Sequence, residues 1–280
     1  MIESQVSKRR AVLIHYHIFK NAGSTIDFAL ENSFGKSFSL ADGKQFNSVL
    51  DHNALIGFLN SHPSVRAISS HHLRLPSPAD DRFRFYEIVI LRHPIDRLLS
   101  AYDFYRRSPE LQDPLQATAA TCNFNTFIVF LINNFPHLVN NAQVNFLSCG
   151  GSKIPREPDL KRALKMLPEV SIIGTVELLN LALVFAEFFL GSVFGHVDFS
   201  YARQNVNPQR LPDLSKRLSR ARELCGATQY ERLLKLNKLD LTLFDAADQE
   251  VRKRYATVPH NEQQLASFFT RCGIQKKSQE

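Results

Sequence analysis

The run Glu87 to Arg92, EIVILR, constrains the fold more than any other stretch of the chain. Ile88 to Leu91 are all apolar, so a strand here has no face to turn to water and must be covered on both sides. That is the situation of a central strand in a parallel sheet sandwiched by helices. Pro94 follows closely, and its locked φ and missing N–H suit the first turn of a helix. Leu98, Ala101, Tyr102 and Tyr105 then recur at i, i+3, i+4 and i+7, which predicts an amphipathic helix to about Arg106.

The same strand–loop–helix unit occurs earlier. Ala11 to Ile18, AVLIHYHI, reads as a buried strand, Phe19 to Ser24 as a short polar loop, and Thr25 to Asn32 as a helix with Ile26, Ala29 and Leu30 on one side. Val65 to Ser69 and Val170 to Gly174 are further strand candidates, the second leading into an apolar helix from Glu177 to Leu190. Asn125 to Asn134 reads as a helix with Asn125 as a possible cap. Phe199 to Asp213 is a polar loop carrying Arg203, Asn205 and Asn207. Helices are predicted over about Gln229 to Leu236, Asp240 to Tyr255 and Asn261 to Cys272. The Phe-rich segments (Phe124, Phe127, Phe130; Phe185, Phe188, Phe189) read as core.

Strands alternating with helices predict an α/β fold: three αβα layers, a central mainly parallel sheet and a helical C-terminal part. The 280 residues are expected to form one domain, with residues 1–10 and 276–280 frayed. A hydrophobic fraction of 44% against 22% charged residues excludes wholesale disorder. Leu178 to Leu190 contains Asn180 and Glu187 and falls short of the roughly 20 residues a membrane span needs. The N-terminus lacks the long apolar region and cleavage site of a signal peptide. A soluble, cytoplasmic protein is the expectation. Cys122, Cys149, Cys225 and Cys272 are too sparse for a disulfide scaffold and show no C-x-x-C pair, so they read as scattered thiols of a reducing compartment.

In parallel sheets ligands bind at the carboxyl ends of the strands, where loops begin at Phe19, Ser70, Arg92 and Thr175. A net charge of +7 favours an anionic partner without choosing one. In the first loop, Lys20-Asn21-Ala22-Gly23-Ser24-Thr25, free N–H groups and a helix N-terminus converge where an anion would be stabilised. Gly23 permits close approach of backbone to ligand. The competing reading is an ordinary turn with Ser24 or Thr25 as cap. Neither G-x-x-x-x-G-K-[ST] nor G-x-G-x-x-G is present. In the second loop, Arg92 ends a buried strand, a costly place for a charge unless it is paired or faces a ligand. Ser100 sits on the following helix, on the same face as Arg97, and both Arg92 and Ser100 could reach one anion. Alternatively, Arg92 pairs with Asp96.

Together, HIFKNAGSTI (His17 to Ile26) and ILRHPIDRLLSAY (Ile90 to Tyr102) resemble the two nucleotide-binding signatures of sulfotransferases. The closer likeness is to the carbohydrate sulfotransferases that include heparan sulfate 2-O-sulfotransferases and bacterial homologues. The resemblance covers roughly residues 11 to 255, with weaker echoes at Gly174-Thr175-Val176-Glu177 and at Asn237 to Leu243. The chain differs from the family pattern at Phe19, where Pro is usual, and at His93, where Asp is usual.

The resemblance implies a P-loop-like nucleotide-binding fold. It also implies 3′-phosphoadenosine 5′-phosphosulfate (PAPS) as sulfuryl donor, no metal, and a hydroxyl acceptor, most readily a glycan, with no nucleic acid as partner. Lys20 to Thr25 would hold the 5′-phosphosulfate, and Arg92 and Ser100 the 3′-phosphate. Lys20 would also neutralise charge on the bridging oxygen as the sulfur–oxygen bond breaks. The family carries a catalytic histidine upstream of the second motif, which points to His71 as general base, with His72 the close alternative. The rivals are a P-loop-like nucleotide phosphotransferase and a non-enzymatic basic glycan- or nucleic-acid-binding protein.

Three further groups stand open. His15 and His17 share a strand face, where a structural or supporting role outweighs a metal site because no third ligand is placed. Arg203, Asn205 and Asn207 could close over a nucleotide or form a plain surface loop. Lys216, Arg217, Arg220 and Arg222 form a basic helical stretch, either a solvated face or a groove for an acidic glycan.

Overall fold

The computed structural model describes residues 9–45, 48–107, 114–148, 153–201 and 211–273. In chain order the elements are β1 (Arg10–Tyr16), α1 (Gly23–Phe34), β2 (Phe38–Leu40), α2 (His52–Ser61), β3 (Ala67–Ser70), β4 (Phe83–Leu91), α3 (Pro94–Arg107), α4 (Pro114–Thr121), α5 (Phe124–Asn134), α6 (Pro136–Val139), α7 (Ala142–Ser148), α8 (Glu157–Met166), β5 (Ile172–Thr175), α9 (Leu179–Phe194), α10 (Leu214–Cys225), α11 (Ala227–Leu236), α12 (Lys238–Tyr255) and α13 (Asn261–Arg271).

The five strands form one sheet in the order β2-β3-β1-β4-β5, and every neighbouring pair is parallel. Alternation along the strands divides the core. Val12, Ile14, Ile68, Val89 and Leu91 face α2, α7, α8 and α12. Leu13, Ala67, Ile88 and Ile90 face α1 and α9, with Phe268 of α13 behind them. EIVILR is thus covered on both sides, as its composition demanded. A third cluster gathers α3, α4, α5, α10 and α11 beyond the sheet. The chain leaves β1 toward β2 on one side, and leaves β3 across β1 toward β4 on the other. This reversal opens a crevice at the carboxyl ends of β1 and its neighbours, where open α/β sheets bind ligands.

Several local expectations are corrected. β1 stops at Tyr16, so the loop starts at His17, and α1 begins already at Gly23. The cap of α5 is Asn123, whose side chain accepts the Thr126 N–H at 2.9 Å, and Asn125 lies inside the first turn. Phe188 is 49% exposed rather than core. Cys225 is buried and Cys122 and Cys272 are half-buried, while Cys149 lies outside the described residues. Among the described residues, no helix is long and apolar enough to cross a membrane.

Candidate functional site

The first loop is built under strain. Lys20 and Ala22 both adopt left-handed backbone, at φ 66° and 63°, a conformation that costs a non-glycine residue about 1–2 kcal/mol. The fold retains it by locking the residue between them. Asn21 is 1% exposed and donates through Nδ2 to the Ile90 carbonyl at 2.9 Å and to Gln143 Oε1 at 2.8 Å. The first turn of α1 closes with Thr25 N–H and Ile26 N–H on the Ala22 carbonyl. The amides of Gly23 and Ser24 therefore lie ahead of the hydrogen-bonded ladder, at the positive end of the helix dipole. Gly23 is obligatory here: a Cβ would fall 1.7 Å from His17 Nε2. The alternative reading of this loop, Ser24 or Thr25 as cap, does not hold. The N-cap is Ala22, without a side-chain hydrogen bond, and Ser24 is exposed. Lys20 Nζ sits 4.3 Å from the Phe104 ring centre. Phe19 packs edge-on to Phe104 at 5.5 Å.

The second loop is bonded to the first. Arg92, 5% exposed, donates from an Nη to the Lys20 carbonyl at 2.8 Å and from Nε to Asp96 Oδ2 at 2.7 Å. The Asp96 pairing and a ligand-facing role are thus compatible, since these bonds use two of the five guanidinium N–H donors. Gln143, fully buried, joins the loops a second time. Its Oε1 also accepts the Arg92 N–H at 2.9 Å, and its Nε2 donates to the Arg92 carbonyl at 2.8 Å.

Gln143 is seated in turn by Asp240, whose carboxylate accepts the N–H groups of Gln143 at 3.1 Å and Val144 at 2.8 Å at the start of α7. Asn141 returns the favour to α12, its Oδ1 accepting from Leu239 N–H at 2.9 Å and Asp240 N–H at 3.1 Å. Burial raises the Asp240 carboxyl above its usual range, against the pull of these donors. The Asn237-to-Leu243 stretch opens α12 and carries this brace.

Arg92 and Ser100 line one small pocket together with Asp96, Arg107, Arg217 and Arg220. Arg217, 5% exposed, donates from Nε to Asp96 Oδ1 at 3.0 Å, from an Nη to the carbonyls of Leu211 and Pro212, and from the other Nη to Glu177. Asp96 thereby holds two guanidinium groups side by side, one on each oxygen. The basic stretch is a solvated face only at Lys216 and Arg222, because Arg217 turns inward. Arg97 also departs from expectation. It is buried, bonds to the Leu138 carbonyl and does not share the pocket with Ser100.

The two adjacent histidines are held in opposite proton arrangements. His71 Nδ1 lies 2.9 Å from the His17 carbonyl, which only accepts, so Nδ1 carries the hydrogen and Nε2 keeps its lone pair. His72 Nδ1 accepts the Gly43 N–H at 2.7 Å, which puts the hydrogen of a neutral ring on Nε2. His72 is also 7% exposed, whereas His71 is half-buried. Burial first, and then the neighbouring His17, hold His71 below the usual imidazole range, so it is an unprotonated acceptor at neutral pH.

The His17 and His71 rings pack in a tilted pair with centroids 3.8 Å apart. Asp27 reaches both His15 Nδ1 at 2.8 Å and His17 Nδ1 at 3.1 Å. Burial alone would raise the Asp27 carboxyl, but the bonds from the two histidines outweigh it and keep it far below the usual carboxylate range. The ligand atoms of His15, His17 and Asp27 lie within 4.8 Å of one another, the third group that sequence reading lacked. Each Nδ1 is hydrogen-bonded to Asp27, so the cluster supports the tilted His17–His71 pair from below.

Chemically, the crevice offers an amide cradle with a lysine, a guanidinium pocket with a serine, and an imidazole base. Sequence reasoning missed Gln143, Asp96 as a double acceptor, and the inward turn of Arg217. Arg203, Asn205 and Asn207 lie outside the described residues.

A family model described as “Sulfotransferase family” matches residues 5–151, a stretch that contains both loops, both histidines and Gln143. An uncharacterized protein of Archaeoglobus fulgidus is 29% identical over 250 residues, an overlap of 84% of this chain and 95% of that protein.

Proposed function

This chain belongs to the sulfotransferase family, and on that premise we propose that it moves the sulfuryl group of PAPS to a hydroxyl of a carbohydrate. PAPS carries its activated sulfuryl group at the outer end of the 5′-phosphosulfate, and its second anion, the 3′-phosphate, lies on the ribose. One observation carries the reading: Arg92 donates to the Lys20 carbonyl at 2.8 Å, so the amide cradle and the guanidinium pocket are two ends of one braced crevice. The donor set fits such a molecule, because the Gly23 and Ser24 amides lie ahead of the helix ladder at its positive end and guanidinium groups favour phosphate.

In this reading Gly23, Ser24 and Thr25 bind the 5′ end with Lys20, whose ammonium offsets charge developing on the leaving oxygen. Arg92 and Ser100 bind the 3′-phosphate. His71, with Nε2 free, accepts the proton of the attacking hydroxyl; His72 holds the Asp42–Gly43 turn through its Nδ1 instead. Alignment supplies most of the remainder, as in phosphoryl transfer. The whole chain acts as one domain, because Asp240 and Arg217 from its last third complete the braces of the site.

The test has two parts. Thermal shift with 3′,5′-adenosine bisphosphate, ATP–Mg²⁺ and heparin should show stabilisation by the bisphosphate alone. A shift with ATP–Mg²⁺ only would mark a phosphotransferase, and one with heparin only a polyanion binder. His71→Ala should keep the bisphosphate shift and lose roughly 10²–10⁴-fold in single-turnover rate with labelled PAPS. If His72→Ala loses it instead, the base is assigned to the wrong neighbour.

A further inference from the structure

We propose that Arg220 of α10 is a further nucleotide-binding residue, the second cation on the 3′-phosphate beside Arg92 and Ser100. The inference rests on the donor reading above and adds a residue that neither loop contains.

A phosphate monoester carries about −1.5 to −2 charges at neutral pH, more than one guanidinium can balance. The pocket is lined by four arginines and two aspartates. Arg92 shares its charge with Asp96 at 2.7 Å. Arg217 is engaged on all sides by Asp96, Glu177 and the Leu211 and Pro212 carbonyls. Arg107 is exposed and its Nε is bonded to the Asp103 carbonyl at 2.9 Å. Arg220 is half-buried, lines the same pocket, and among the described residues has no carboxylate in ion-pair contact.

Its position is fixed by its neighbour. Arg217 and Arg220 are i and i+3 on one helix and so share a face. With Arg217 pinned to Asp96 in the wall of the pocket, the next turn brings Arg220 to the same pocket. The cavity between these groups is small, about 40 Å³, and its lining is mostly charged.

The experiment is calorimetric titration of the full chain with 3′,5′-adenosine bisphosphate and, separately, with adenosine 5′-monophosphate. Wild type, Arg220→Gln and Arg222→Gln are compared, the last an exposed residue of the same helix. Arg220→Gln should bind the bisphosphate about 10- to 100-fold more weakly, the range for losing a hydrogen bond to a charged group. Its affinity for the monophosphate should stay within about two-fold by the same reasoning, and Arg222→Gln should match wild type for both. An Arg220→Gln protein that binds the bisphosphate like wild type, or loses both nucleotides equally, overturns the inference. A wild-type protein that binds neither nucleotide overturns the donor reading itself. Unchanged melting temperature of Arg220→Gln without ligand separates loss of binding from loss of fold.

Discussion

The two ends of the crevice present positive charge by different means. The cradle after β1 works through backbone: two left-handed residues, a glycine against an imidazole, and amides ahead of a helix ladder. The pocket after β4 works through side chains: guanidinium groups distributed around one buried aspartate. Backbone dipoles have fixed direction and cannot be retuned by exchanging side chains, whereas an ion network is set residue by residue. The cradle should therefore fail abruptly when its shape is disturbed, and the pocket by degrees as its members change.

The largest effect is expected from Gly23→Ala. The new methyl group displaces His17, which carries the Asp27 bond and the ring contact with His71. Activity should fall about 100-fold or more, the scale of a misplacement near 1 Å, and affinity for 5′-monophosphate and bisphosphate should drop together. Equal activity in this variant would show that the cradle is not shape-limited.

Arg92→Lys should act more gently. It keeps a charge but loses the fork that spans Asp96 and Lys20. Bisphosphate binding by calorimetry should weaken roughly 10-fold at the low end of charge-assisted hydrogen bonding, with 5′-monophosphate binding nearly unchanged. A variant that loses both ligands equally would mean that the Lys20 contact, rather than the phosphate contact, is what Arg92 provides.

The smallest effect separates the regions by acid sensitivity. Burial holds His93 down to about 4 from 6.5, against Asp96, which raises it, and with Arg217, which lowers it further. Phe244 is its aromatic neighbour. Between those two values the unfolded chain binds the proton and the folded chain does not. Stability from this residue is complete above pH 6.5 and declines as pH falls toward 4. His17 and His71, also held below the usual range, add the same sign beside the cradle. Urea midpoints for His93→Gln should show a shallower acid slope over that window, with a residual slope from the cradle. An unchanged slope would place the acid sensitivity wholly at the first loop.

Both strand–loop–helix units were legible because apolar runs ending in Gly or Pro carry their own boundaries. The supporting helices were not. β2 has three residues and α6 four, too short to show a period. α2 is opened by its Asp51 cap rather than announced by a long stripe. The place of the candidate site was legible in the two motifs and in the histidine pair. The choice between His71 and His72 was not, because it depends on which atom each Nδ1 meets, His17 O or Gly43 N. Gln143 reads as an ordinary polar residue, since its partners lie 51, 97 and 122 positions away. Arg217 meets Asp96 across 121 positions and so reads as surface until folded.

The reciprocal seating of α7 and α12 limits how this site can be transplanted. A fragment ending at residue 151 would keep every atom of the two loops yet leave the Gln143 and Val144 amides without the carboxylate of Asp240. Gln143 would lose its anchor, and the joint between the loops would loosen at both ends. Grafting the crevice into another scaffold means carrying the opening turn of α12 along with it.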